Sequence, residues 1–206
     1  MEDVLDVYHR PLDPLRPLIC LDEASKELRD TPRGQLPPAL GQVARQDYEY
    51  VHGGNCNLFL AVAPHLGWRR IGVADHRTGY DLAEQLRHLV EEDFPQAERI
   101  VLVTDNLNTH SPACLYERFP PAQARHIAEK LEWHYTPEHG SWLNIAECEL
   151  SVVTRQCLKR RIKDGDALER ELTAWVDERN AAKTKVTWHF TTDDARVKLH
   201  RLYPEL

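Results

Sequence analysis

Arg99-Ile-Val-Leu-Val-Thr104-Asp105 is an unbroken apolar run, rich in β-branched residues, that stops at a carboxylate. So short a run predicts a strand buried on both faces, as the central strands of a parallel sheet are. Its flanks set the architecture. Upstream, Thr78–Phe94 places Leu82, Leu86, Leu89 and Val90 on one helical face, with Thr78 or Asp81 as cap and Pro95 just past the end. Downstream, helical material from about Pro121 to Leu131 leads to a short strand, Glu132-Trp-His-Tyr135. A strand, a helix and a second strand in that order make a parallel crossover.

Further out, Asn57–Ala63 and Trp68–Ala74 are separated only by Pro64, His65, Leu66 and Gly67, which predicts a hairpin. Pro17-Leu-Ile-Cys-Leu21 is another apolar run, stopped by Asp22. The stretch from about Lys26 to Gly54, rich in Pro, Gly, Arg and Gln, reads as a long irregular loop. After the Thr136–Ser141 loop, a helix is expected from Trp142 or Leu143 to about Leu158, with Leu143, Ala146, Leu150, Val153 and Cys157 as its apolar stripe. A last helix runs from Asp166 to about Ala182, with Leu168, Leu172, Trp175 and Val176 on one side. The expected fold class is α/β: three antiparallel strands continued by parallel ones in a mixed sheet flanked by helices, with a helical C-terminal extension from about residue 164. Residues 1–16 are expected to be an N-terminal arm and residues 17–206 one domain that includes the extension.

The 206 residues are 42% apolar, enough for a packed core and not a disordered or fibrous composition. No window approaches the roughly 18 apolar residues of a membrane span, and the acidic, proline-broken N-terminus is no signal peptide. Cys20, Cys56, Cys114, Cys148 and Cys157 contain no CxxC pair and read as reduced, mostly buried thiols of a cytoplasmic protein. The eleven histidines are dispersed, with His110, His126, His134 and His139 the densest group, and they form no zinc pattern. With 33 acidic and 26 basic residues the formal charge is −7, which argues on its face against nucleic acid. The sum is uneven, though: residues 1–150 carry −10 and residues 151–206 carry +3. Arg155, Lys159, Arg160, Arg161 and Lys163 form the densest basic stretch, which is either a solvated face or a set of phosphate contacts.

Asp22 and Asp105 end the first and fourth apolar strands, at the sheet edge where open α/β folds bind ligands. Either alone reads as a turn or cap residue. Side by side they would repel, and a divalent cation relieves that. Glu147 adjoins the apolar stripe of its helix, four residues from Leu143 and three from Asn144, and is the third candidate; an acid favouring the helix dipole is the competing reading. Glu149, two positions on and about 200° around the helix, is expected to face solvent. Such a set of hard oxygen ligands suits one or two Mg²⁺ ions, and no P-loop, GxGxxG, HExxH or GxSxG motif competes with it.

Three blocks carry a resemblance: Leu21-Asp22-Glu23; Thr104-Asp105-Asn106-Leu-Asn-Thr-His110; and Tyr135-Thr-Pro-Glu-His-Gly-Ser-Trp-Leu-Asn144-Ile-Ala-Glu147. Together they resemble the signature blocks of bacterial insertion-sequence transposases of the Tc/mariner superfamily, DDE enzymes with the ribonuclease-H-like fold. The C-terminal stretch Trp188–Leu199 is similar to the end of one subgroup. The resemblance implies that Asp22, Asp105 and Glu147 are the catalytic and metal-binding triad, with Mg²⁺ as cofactor and Mn²⁺ as a substitute. It places Asn106, Asn144 and His110 around the triad as supporting residues, although an Asx cap explains either asparagine and a structural hydrogen bond explains the histidine. The 41 residues between Asp105 and Glu147 exceed the usual spacing, and the proline-containing segment Phe119-Pro-Pro accounts for it.

The implied partners are transposon-end and target DNA, a second copy of the chain on paired ends, and a helix-turn-helix recognition region, which these residues do not contain. The implied location is the cytoplasm, on the nucleoid when DNA-bound, with no membrane association. Two other readings remain. One is a nuclease of the same fold that cuts without strand transfer. The other is a non-catalytic remnant that binds DNA or a partner. Trp142 would stack on a base or serve as a core aromatic.

Overall fold

The computed structural model describes residues 1–31, 35–36, 39–43, 45–46, 49–107 and 111–203. In chain order the elements are α1 (Glu2–Tyr8), β1 (Leu18–Asp30), a small antiparallel ribbon of β2 (Gln35–Leu36) and β3 (Arg45–Gln46), β4 (Val51–Ala63), β5 (Trp68–Ala74) and α2 (Gly79–His88). There follow β6 (Ile100–Thr104), α3 (Ala113–Arg118), α4 (Pro121–Glu129), β7 (Leu131–Tyr135), α5 (Ile145–Val153), α6 (Gly165–Ala181) and α7 (Thr192–Lys198).

Five strands form one sheet in the order β5-β4-β1-β6-β7. The pairs β5–β4 and β4–β1 are antiparallel, while β1–β6 and β6–β7 are parallel. This is the mixed, ribonuclease-H-like sheet expected from the sequence. Hydrophobic alternation divides the helices between its faces. Ile19, Leu21, Phe59, Ala61, Ile100 and Leu102 pack with α2, α3 and α4. Leu18, Cys20, Val62, Val101 and Val103 pack with α1 and the start of α5. The far end of α5, with α6, covers Leu58 and Leu60.

Several boundaries depart from expectation. The strands β1 and β4 each run 13 residues, because both continue past the core as a long hairpin. Most of the described residues in the stretch expected to be a loop are therefore strand or ribbon. Its Gly53 marks a close approach: a Cβ there would lie 2.6 Å from the Lys163 carbonyl, where the 159–163 segment crosses the hairpin. The helix expected at 78–94 begins as α-helix. The one expected from Trp142 or Leu143 starts only at Ile145, because Ser141–Leu143 form a tighter 3-10 turn and Asn144 is the N-cap. Both finish in widened π turns, Leu89–Asp93 and Thr154–Leu158. Of the two expected caps, Thr78 is the N-cap of α2, and Asp81 returns the bond in a capping box.

The segment before residue 17 contains a helix that its acidic, proline-broken sequence did not suggest. Val4, Leu5, Val7 and Tyr8 of α1 are all at most 4% exposed. A seven-residue helix does not hold itself in water, so these apolar contacts, worth about 1.5–3 kcal/mol per fully buried large side chain, are what order it.

Candidate active site

The sheet register brings the two aspartates together. Cys20 of β1 pairs with Val103 of β6, the last pair between these strands. Two residues further on come Asp22, still within β1, and Asp105, the first residue past the end of β6, close enough for its charge to act on the Asp22 carboxyl. There β6 ends while β1 continues beside β4, so one edge of β1 opens at Asp22.

Asn144 fills that opening. The Val101 N–H donates to the Pro17 carbonyl, and the two-residue period of a strand puts the Leu21 carbonyl on the same edge, past the end of β6. Asn144, fully buried, donates its side-chain N–H to that carbonyl (2.9 Å) and accepts from the Ala146 N–H (3.1 Å) as N-cap of α5. It is thus an Asx cap that also bolts the helix to β1, one residue from Asp22. Glu147, in the first turn of α5, is half-buried, and its Oε2 has no hydrogen bond among the described residues.

The electrostatics register the convergence. Asp22 is 9% exposed, and its carboxyl is pushed up from 3.8 to about 7. Burial is the main cause; the charges of Asp105, Glu23 and Glu147 add to it, against a 2.8 Å hydrogen bond from the Glu23 N–H. Among the described residues, no three His, Cys, Asp or Glu side chains form a ready-made metal cage. The donor chemistry nevertheless fits a hard divalent cation: clustered carboxylates, one buried oxygen without a hydrogen bond, and a carboxyl whose charge burial disfavours.

Two adjoining clefts lie over these residues. One, of about 500 Å³, is bordered by Asp105, Asn106, Thr136, Pro137, His139 and Ser141. The other, of about 420 Å³, is bordered by Asp22, Glu23, Ser141, Glu147, Thr154 and Arg155, and Ser141 belongs to both. The loop between β7 and α5 turns tightly at Gly140, where a Cβ would meet the Pro137 ring at 2.6 Å.

The remaining candidates separate. Asn106 is exposed in the first cleft and makes no side-chain hydrogen bond among the described residues. His110 lies outside the described residues. Arg155 is exposed, reaches the second cleft and forms no ion pair among the described residues. Lys159 is exposed as well, whereas Arg160 pairs with Glu171 and Lys163 with Asp164. Arg161 donates to the Glu49 carbonyl (3.0 Å) and stacks near Tyr50, bracing the hairpin. Arg160, Arg161 and Lys163 are thus each engaged with other groups of the chain, and Arg155 and Lys159 are exposed. Trp142 is 44% exposed, with its ring against Phe190 (5.9 Å), and is not a core residue.

Glu149 contradicts its solvent assignment. It is 4% exposed and bound to the fully buried Arg69 (2.5 Å) and to Arg179 (3.3 Å). The reason is that α5 is flanked on that side by α6 and by β5, the sheet strand that carries Arg69. Sequence reasoning also missed Tyr8. Its hydroxyl donates to the Leu143 carbonyl (2.6 Å) and accepts from the Ile145 N–H (3.3 Å), on either side of Asn144. No local pattern in residues 1–16 announces that contact, which spans more than 130 positions.

Residues 17–169 match the family profile described as DDE superfamily endonuclease. The chain belongs to that family. Within its matched span lie Asp22, Asp105 and Glu147. Among solved structures, the Mos1 strand transfer complex aligns with a TM-score of 0.53 at 17% identity, over 88% of this chain and 54% of that one. An intasome of simian T-cell lymphotropic virus in complex with PP2A regulatory subunit B56 gamma aligns at 0.42 and 12% identity, over 96% of this chain and 59% of the other. The DDE chain described here thus spans little more than half the length of these solved chains. No curated protein matches it in sequence. Among the described residues, no helix is long and apolar enough to cross a membrane.

Proposed function

We propose that this chain is the catalytic domain of an insertion-sequence transposase, cutting DNA at the element's ends and joining them to target DNA. The observation that supports the reading is that the charges of Asp105 and Glu147 both act on the buried Asp22 carboxyl beside the end of β6, in a chain of the DDE family. We take residues 17–206 as that domain and α1 as its docked N-terminal arm.

Asp22, Asp105 and Glu147 hold Mg²⁺, or Mn²⁺ in its place, together with oxygens of substrate and water. These carboxylates would hold such ions, and the ions would supply charge compensation and Lewis-acid activation of water or a hydroxyl there. Asn144 keeps α5, and with it Glu147, against β1. Asn106 lines the cleft beside Asp105, where the DNA backbone passes. Arg155 contacts a phosphate from the other side, and Lys159 a more distant one. The reaction is two in-line displacements. Water first attacks phosphorus and the bond to the 3′ oxygen breaks; the freed 3′-hydroxyl then attacks a target phosphodiester and displaces another 3′ oxygen. Two ends require two such sites, so the working unit is a dimer on DNA, guided by a separate helix-turn-helix region.

The test is incubation with DNA carrying the element's ends and Mg²⁺, comparing wild type with Asp105→Asn. Cleavage and joined products should appear with wild type and fall at least about a thousand-fold in the variant. Cutting that survives the substitution sinks the site assignment. Cutting without joined product replaces strand transfer with plain nuclease action.

A further inference from the structure

Tyr8 lies before the family-matched span, yet its hydroxyl sits at the junction of the two elements that bear Asp22 and Glu147. A tyrosine hydroxyl has one hydrogen to donate and two lone pairs to accept with. Here all three are used: it donates to the Leu143 carbonyl, accepts from the Ile145 N–H, and lies 3.8 Å from the Cys20 thiol. Cys20 is two residues before Asp22 on β1, and Ile145 is two residues before Glu147 on α5. One oxygen therefore touches both carboxylate-bearing segments at equal sequence distance from the carboxylates.

Its bond to Ile145 also satisfies the first N–H of α5, which has no partner inside the helix. The next is taken by the Asn144 side chain and the third by the Asn144 carbonyl (3.1 Å). With Asn144 holding the helix to Leu21 and Tyr8 holding it to α1, the position of its first turn is fixed from two sides. The tyrosine ring is itself locked, 4% exposed and packed on Trp188 with centroids 5.4 Å apart.

We infer that Tyr8 is a positioning residue of the carboxylate site, setting where Glu147 stands relative to Asp22 and so how tightly the site holds a divalent cation. This rests on the proposed reading of the three carboxylates as a metal site. The experiment is titration of the purified full chain with Mn²⁺, following free Mn²⁺ by electron paramagnetic resonance, alongside thermal unfolding. Tyr8→Phe keeps the packed ring and removes the oxygen; its half-saturating Mn²⁺ concentration should rise about tenfold, the scale seen when an outer partner of a metal ligand is lost. Val7→Ala removes buried methyl groups from the same helix; it should lower the unfolding temperature while leaving Mn²⁺ binding within twofold of wild type.

Unchanged Mn²⁺ binding in Tyr8→Phe, or equal weakening in Val7→Ala, overturns the inference and leaves the metal site standing. Wild-type protein that takes up no Mn²⁺ overturns both. If Tyr8→Phe does not fold, Cys20→Ala carries the test: it withdraws one of the three contacts, its half-saturating Mn²⁺ concentration should rise beyond the twofold margin allowed to Val7→Ala, and a change within that margin overturns the inference.

Discussion

Helix α5 carries two glutamates, two residues apart, in opposite electrostatic settings. Glu149 is buried and neutralised by Arg69 and Arg179. Glu147 forms no ion pair among the described residues and stands among carboxylates, one of which is held protonated up to about pH 7. Charge is compensated where the fold needs rigidity and concentrated where a cationic ligand would complete it. The two centres should therefore answer oppositely when a carboxylate is removed.

The largest effect belongs to the compensated centre. Glu149→Ala leaves Arg69 buried without its partner and should lower stability by about 3–5 kcal/mol, read in urea unfolding. A smaller loss there would mean that water already relieves Arg69, and the contrast would weaken.

At the other centre the sign reverses. The folded protein holds the Asp22 proton more tightly than the unfolded chain does, since the carboxyl is raised from 3.8 to about 7. The stability this proton confers is complete below about pH 4 and disappears as pH rises through 7. Asp22→Asn should therefore stabilise the protein at pH 8, by an amount on the order of 2–4 kcal/mol, with little effect at pH 4. Saturating Mn²⁺ should flatten the same pH dependence in wild type. A destabilised Asp22→Asn at pH 8 would show that Asp22 is a structural acid.

That contrast was only half legible in the sequence. Asp22, Asp105 and Glu147 could be read because apolar runs and a helical stripe end beside them, and local periodicity reports which side of an element faces the core. Glu149 could not, because its surroundings come from Arg69 and Arg179, 80 and 30 positions away. The same limit hid the outer halves of β1 and β4, whose polar residues satisfy one another across a hairpin without a hydrophobic alternation to betray it. Gly53 looked like a loop residue when it records close passage of another backbone. Helix α1 escaped notice since its order comes from packing, not propensity.

Asn144 joins the two centres to the sheet. Asn144→Ala removes the cap and the link to Leu21 and should cost about 1–2 kcal/mol in thermal unfolding, with cleavage falling further than stability explains. The smallest effect separates the basic residues. Arg155→Ala should weaken DNA binding modestly and reduce the slope of affinity against salt by about 1, while Lys163→Ala, already paired with Asp164, should leave that slope unchanged. Equal slopes for the two would remove the distinction between cleft and hairpin. The formal charge of −7 no longer excludes DNA on this account: some of the acids form the cation site, and the basic residues that face the cleft are few.

Asp22, Asp105 and Glu147 are, in this reading, a cation site. Anomalous diffraction from crystals soaked in Mn²⁺ tests it most directly. A Mn²⁺ peak should appear between Asp22 and Asp105, within coordination distance of both, and be absent from Asp105→Asn crystals. A Mn²⁺ peak elsewhere, or one that persists between those positions in the variant, would contradict it.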